Sequence, residues 1–356
     1  MSVEAPGKPE APVGGSAAPP VRRSSPAAWR GLGLLAAIAA LTVLALASVW
    51  VGTRDIPFTA TWSLLWHHDG SDAAVIIHDY RIPRTLLGLL VGTALGLSGA
   101  LMQALTRNPL ADPGLLGVSL GASTGVVVAI AFCGVGTALG YVWFAFLGAA
   151  LASVAVYLLG SAGRRLATPD RLIIAGAALT AVLYAFNSAV LLLDPRAFDE
   201  FRFWTVGSLA GRKYDVVYVI LPFVAVGAGI ALALSRSLNA LAMGDQVGRA
   251  LGVRIGRTRI LGTVAVMLLC GAATAAAGPI GFIGLAVPHI ARFVVGPDQR
   301  WVMAYSTLLA PILLIGADVL GRVLGSPGEI QVGIVTAFLG GPLFLMLCRR
   351  RKLVML

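Results

Sequence analysis

The chain has 356 residues, of which 58% are hydrophobic and 12% charged, against about 45–50% and about 25% in soluble domains. At a mean hydropathy of +0.86 it has too little polar surface to enclose a water-soluble core, and an integral membrane protein is expected. The net charge of +11 does not call for nucleic acid. The basic residues lie between apolar runs, not in an aromatic-studded stripe, and a multi-pass chain is basic when Lys and Arg gather on its cytoplasmic side.

Residues 1–29 are rich in Pro, Ala, Gly and Ser, so a disordered cytoplasmic tail is expected. A bilayer core about 30 Å thick is crossed by about 20 apolar residues of helix. Between residues 30 and 352 ten runs fit that description, and they define one ten-helix domain. The first five are Gly31–Gly52, Thr85–Leu105, Leu115–Val135, Ala138–Gly160 and Leu172–Leu193. The second five are Val216–Leu234, Ile260–Ala277, Ile280–Val295, Trp301–Val319 and Ile330–Cys348. The eighth is short and carries Pro288, His289 and Arg292. The first run is longer than the 7–15 residues usual in a signal peptide, so it is kept as a span. Residues 353–356 form a C-terminal cytoplasmic end. With the N-terminus inside, nineteen of the 27 Lys and Arg residues fall on the cytoplasmic side, and the outer segments are net acidic. The expected topology is N-in, C-in.

Covalent chemistry has no visible seat. There is no H-E-x-x-H, G-x-S-x-G or Cys/His cluster, and the adjacent His67 and His68 lack ligand-spaced partners. Cys133, Cys270 and Cys348 stand singly in apolar runs. No catalytic residue, metal or cofactor is therefore expected. The chain also lacks G-x-x-x-x-G-K-[ST], so any ATP must be bound by a separate chain. Inside the ten runs the only acid is Asp318, one helical turn from Arg322, with which it can pair. Ion-coupled carriers usually need an ionisable group near mid-membrane, but Na⁺ sites can be built from carbonyls. A secondary transporter thus stands as the alternative reading, and a structural or signalling membrane protein as a further one.

Residues 235–259 form a basic inside loop. Leu238, Leu241 and Ala242 lie at helical spacing, Gly244 breaks the run, and Val247, Ala250 and Leu251 begin a second short helix that Gly252 ends. Two helices too short to stand alone suggest a knob for a partner's groove. The same pattern reads equally well as a basic loop lying on lipid headgroups.

Five blocks resemble one family: Arg81–Arg84 (RIPR), Gly99–Val118 (GALMQALTRNPLADPGLLGV), Leu238–Gly244 (LNALAMG), Gly278–Arg292 (GPIGFIGLAVPHIAR) and Gly328–Pro342 (GEIQVGIVTAFLGGP). The family is the permease subunits of ABC importers for iron–siderophores, haem and vitamin B12, and the likeness runs in order over about residues 31–352. It implies an all-α, ten-span fold like that of the vitamin B12 importer permease. It further implies a second permease chain, identical or homologous, two ATP-binding subunits, an extracytoplasmic binding protein, and residence in the bacterial inner membrane. Residue by residue, it assigns binding-protein docking to Arg81, Arg84 and Arg322, whose plainer roles are lipid-interface anchoring for the first two and pairing with Asp318 for the third. ATPase coupling falls on Leu238, Ala242, Gly244, Asp245, Ala250, Leu251 and Gly252. A cytoplasmic gate falls on Asn108, Leu110 and Thr168, although Asn108-Pro109 also reads as a helix-ending turn. Phe201–Leu209 (FRFWTVGSL) looks more like siderophore permeases than vitamin B12 ones. The implied function is an ATP-driven importer of ferric siderophores.

Overall fold

The computed structural model describes residues 27–161 and 169–349. In chain order its helices are α1 (Ala27–Trp50), α2 (Phe58–Trp66) and α3 (Asp72–Val75), then a π-helical turn (Ile76–Arg81) that runs directly into α4 (Ile82–Thr106). A 3₁₀ turn (Pro113–Leu116) leads to α5 (Val118–Cys133), α6 (Ala138–Ser161), α7 (Pro169–Leu193) and α8 (Pro195–Thr205). The chain continues through α9 (Tyr214–Ala242), α10 (Asp245–Ala250), α11 (Ile255–Ala277), α12 (Ile283–Val295), α13 (Gln299–Leu324) and α14 (Val332–Arg349). No strand occurs among the described residues.

Each of the ten predicted runs lies on a helix: α1, α4, α5, α6, α7, α9, α11, α12, α13 and α14. Seven helices are long and apolar enough to cross a membrane, whereas α5, α12 and α14 are shorter apolar helices. Ala27–Trp29, expected in the tail, already belong to α1, and Thr168 lies outside the described residues.

Two surface helices escaped the apolar-run reading because neither is apolar all round. On α2, Phe58, Trp62 and Trp66 recur every fourth residue, and with Trp50 they form a ladder of ring contacts 5.5–6.4 Å apart. All four rings are exposed, as expected of aromatic side chains at a membrane–water boundary. The other, α8, starts where Asp194 accepts the Ala197 N–H at 3.0 Å, with Pro195 in the first turn.

The centre of the bundle is built from small residues. The continuous Asp72–Thr106 rod is the most buried span (78%), followed by α11 (67%), whereas α7 (11%) and α1 (17%) lie at the periphery. Along α4, Gly88, Gly92, Gly96 and Gly99 form a flat stripe against α13 and α12, the arrangement that lets helices touch backbone to backbone in lipid. At Gly99 any Cβ would overlap the Gly284 carbonyl oxygen.

This close contact also hosts a buried polar link. Arg292, in the last turn of α12, donates to Gln103 Oε1, and Gln103 Nε2 donates to the Leu285 carbonyl at 3.1 Å. No carboxylate pairs with Arg292 among the described residues. Its position at a helix C-terminus favours a cation.

Candidate functional sites at the two ends of the bundle

At the end of the bundle where α1 stops and α4 starts, the three arginines expected to face a binding protein converge. Arg81 closes the π-turn, and its guanidinium donates to the carbonyls of Val49 (3.2 Å), Trp50 (2.5 Å) and Arg54 (2.6 Å). Arg322 reaches the same helix end from α13, donating to the carbonyls of Ser48 (2.7 Å) and Val51 (2.8 Å) and to Ser48 Oγ (2.9 Å). The last carbonyls of a helix have no partner of their own, and these two cations supply it for α1, where the helix dipole is negative. Arg84 forms a fork with Asp318 (3.0 and 2.8 Å) and donates to Glu329 at 2.7 Å. Asp318 is shared with Arg322.

Reading Arg81 and Arg84 as lipid-interface anchors is therefore incorrect. Both turn into the protein, and Arg81, Arg322 and Asp318 are buried. The pairing of Arg322 with Asp318 holds, but Asp318 serves two arginines rather than one. Arg81 is hydrogen-bonded to carbonyls alone, without a carboxylate in direct contact among the described residues; Asp55 and Glu329 act on it only through space. A cavity of about 460 Å³ opens beside these groups, lined by Arg54, Tyr80, Arg81, Arg84, Arg322 and Glu329.

The opposite end differs. The first of the two short helices expected in the inside loop is not separate: Leu238–Ala242 is the last turn and more of the 29-residue α9. Leu238 and Leu241 are fully buried, so they root the segment in the core rather than present it to a partner. Gly244 breaks the helix at φ 108°, a conformation closed to most L-residues, and the chain restarts as α10. Gly252, with φ 80°, ends that excursion. Between the two glycines Ala250 and Leu251 are exposed, and Leu251 shares its exposure with Val247, expected on the second short helix, and with Met243, neither of which is among the residues assigned to coupling. Val247 and Leu251 lie one turn apart on α10 and its C-cap, and with Met243, just before the Gly244 break, they make an exposed apolar tip. The four-residue spacing of Val247 and Leu251 is the signal that could have added Val247.

An ion pair joins the start of α10 to the end of α4, where the candidate gate residues follow. Asp245 pairs with Arg107 and, at 3.0 Å, with Arg259 of α11. Arg107 is the residue that ends α4, held at φ 51° where glycine is usual, and Asn108, Pro109 and Leu110 follow at once. Asn108 Oδ1 accepts the Leu110 N–H at 2.9 Å, so the helix-ending turn is real. Leu110 is left exposed as an apolar side chain at this mouth of the bundle. The root of the segment is held as well. Asn239 donates to Asp298 at 2.7 Å and accepts the Gln299 N–H at 2.8 Å, fastening α9 to the start of α13.

The Phe201–Leu209 signature is a packing junction. Trp204 and Leu209 are buried, the Ser208 N–H donates to the Ala277 carbonyl at 2.7 Å, and the Gly207 carbonyl accepts the Gly333 N–H at 3.1 Å.

Comparison with known proteins agrees with this geometry. Residues 40–350 match the model of the FecCD transport family. The chain is 46% identical over 319 residues to the ferric enterobactin transport system permease protein FepD of Escherichia coli, covering 90% of this chain and 94% of that one. It is 39% identical to the probable siderophore transport system permease protein YfiZ of Bacillus subtilis, over 85% and 91% of the two chains. It is 37% identical to the cobalamin import system permease protein BtuC of Halobacterium salinarum, over 89% and 88%. Among solved structures, a metal-chelate type ABC transporter in an inward-facing conformation superposes with a TM-score of 0.79 at 28% identity, covering 89% of this chain and 99% of that one. An ion-coupled carrier is thereby set aside: the chain belongs to the FecCD transport family and is a transmembrane permease of an ATP-driven importer.

Proposed function

We propose that this permease imports ferric siderophores across a bacterial cytoplasmic membrane. It would work as a pair of permease chains with two ATPase subunits and an external binding protein. The substrate class rests on the siderophore permeases among the relatives, at 46% and 39% identity. In this reading the chain makes ten crossings with both termini inside, as the distribution of Lys and Arg supports, and it catalyses nothing covalent.

The observation that carries the coupling role is the uncovered apolar tip of Met243, Val247 and Leu251, rooted by a buried Leu238 and joined through Asp245 to Arg107. An ATPase groove that closes on this tip moves Asp245. Its pairs with Arg107 and Arg259 pass that displacement to the end of α4 and to Leu110. Two discrete arrangements of this one element suffice for alternating access. At the other end, an acidic side chain of the binding protein enters the arginine-lined cavity and compensates Arg81. The arginines thus act from inside a recess rather than as a flat basic patch.

The test is uptake of a radiolabelled ferric siderophore into liposomes holding the chain with its ATPase and binding protein. Uptake should need ATP and every subunit, and excess cobalamin should not compete. Uptake driven by an ion gradient without the ATPase would refute the coupling, and competition by cobalamin would reassign the cargo.

A further inference from the structure

Beside the α10 excursion, with none of Met243, Val247 and Leu251 in its lining, is a cavity of about 330 Å³ that the transport reading does not use. Arg254, Arg257 and Thr258 line it at the start of α11, Ser237 lines it from α9, and Leu234 and Leu261 form its apolar part. Neither arginine has an ion-pair partner among the described residues. Thr258 is 4% exposed, yet its hydroxyl takes no hydrogen bond among the described residues, although it lines the cavity. No side chain caps the first turn of α11, so N–H groups of that turn are also left for an acceptor.

The level of the cavity identifies the occupant. Arg254, Arg257 and Thr258 stand at the start of the stretch of α11 that is long and apolar enough to cross a membrane, Ile255–Ala277, the end at which polar headgroups are expected. Leu261, further along the helix, reaches toward the acyl chains. On the neighbouring helix Leu234 is followed by Ser235, Arg236 and Ser237, the same change from apolar to polar at the same depth. Two cations, two hydroxyls and a helix N-terminus above an apolar base suit a phosphodiester that carries hydrocarbon.

We propose that this cavity binds the headgroup of an anionic phospholipid from the leaflet on that side of the membrane. The lipid fills the wedge between α9 and α11 and braces the Gly252–Arg254 connection, which carries α10 back to the bundle. The proposal stands independently of the cargo.

The test uses the full transporter complex, purified in detergent and supplied with phosphatidylglycerol or phosphatidylcholine, with bound lipid counted by native mass spectrometry. Phosphatidylglycerol should be retained in preference to phosphatidylcholine. Arg254→Gln with Arg257→Gln should lower its retention at least tenfold, as expected for two basic residues at the surface. Thr258→Val should lower it a few-fold. Arg236→Gln, which removes a nearby cation that does not line the cavity, should leave it unchanged. Equal retention of the two lipids, or unchanged retention in the double variant, would overturn the proposal. Displacement of the lipid by millimolar inorganic phosphate would reassign the site to free phosphate. Loss of the ATPase subunits from the double variant with lipid still bound would assign the surface to the ATPase.

Discussion

The two ends of the bundle handle charge in opposite ways. Where α1 stops, three arginines gather around the buried Asp318, with Glu329 at the exposed rim; Arg81 and Arg322 are bonded to backbone carbonyls, and Arg322 and Asp318 are each only 2% exposed. At the other end, one carboxylate, Asp245, holds two arginines in half-exposed pairs, and the apolar side chains stand outside: Met243 is 68% and Leu251 61% exposed. A buried ionic knot is rigid because taking away any member strands a charge in low dielectric. Half-exposed pairs are weak and can be remade. The first arrangement fastens a peripheral helix; the second suits an element that must shift.

The contrast can be broken most severely at Asp318. Asp318→Asn should destabilise the chain by about 3–5 kcal/mol, since Arg84 and Arg322 lose a shared buried partner. Thermal unfolding in detergent reads this, and adding Arg322→Met should recover much of the loss. A small shift in the single variant would mean that Asp318 is not the keystone of the knot.

Next comes the apolar tip. Met243→Asp with Leu251→Asp should weaken ATPase association by about 2–4 kcal/mol, as for central interface residues, without changing the unfolding temperature, because both side chains are exposed. Leu238→Asp, in the buried root, should instead prevent folding. Co-purification of the ATPase at wild-type yield by the double variant would move the docking site elsewhere.

Smaller is the effect expected at the joint. Arg107→Ala or Asp245→Asn removes pairs worth about 0.2–1 kcal/mol each, so folding and ATPase binding should persist while cargo moved per ATP falls several-fold. A ratio equal to wild type would show that the gate is driven by another route. Arg54→Glu should do least. Among the described residues Arg54 pairs only with Asp72, at 3.9 Å and largely exposed, yet it lines the cavity. Affinity for the binding protein should drop a few-fold at low salt and return toward wild type when added salt screens the contact. A drop that salt does not alter would exclude an electrostatic origin.

Much of this was readable in advance, for identifiable reasons. The ten apolar runs appear as helices because lipid leaves the backbone only intrahelical partners, so periodicity and length suffice. Gly244 announced a break, and it is one, because its φ is open to glycine and to few others. The direction in which Arg81 points was not readable. An arginine at the start of a span can turn toward headgroups or toward the free carbonyls of another helix, and only the packing of α1 against α4 and α13 selects the second. For the same reason Leu238 and Met243, five residues apart in one apolar stretch, could not be sorted into root and tip.

By itself, then, the sequence determined the membrane class, the ten apolar helices and the family, since these depend on local hydropathy and on motifs that run in order. Only the tertiary structure decided which charges are buried together, that Asp245 links α10 to the end of α4, and that Thr258 lines a polar cavity. Each of these joins residues far apart in the chain, Arg107 with Asp245 and Arg84 with Asp318 among them. Their partnership follows from how helices pack, which no local pattern of residues encodes.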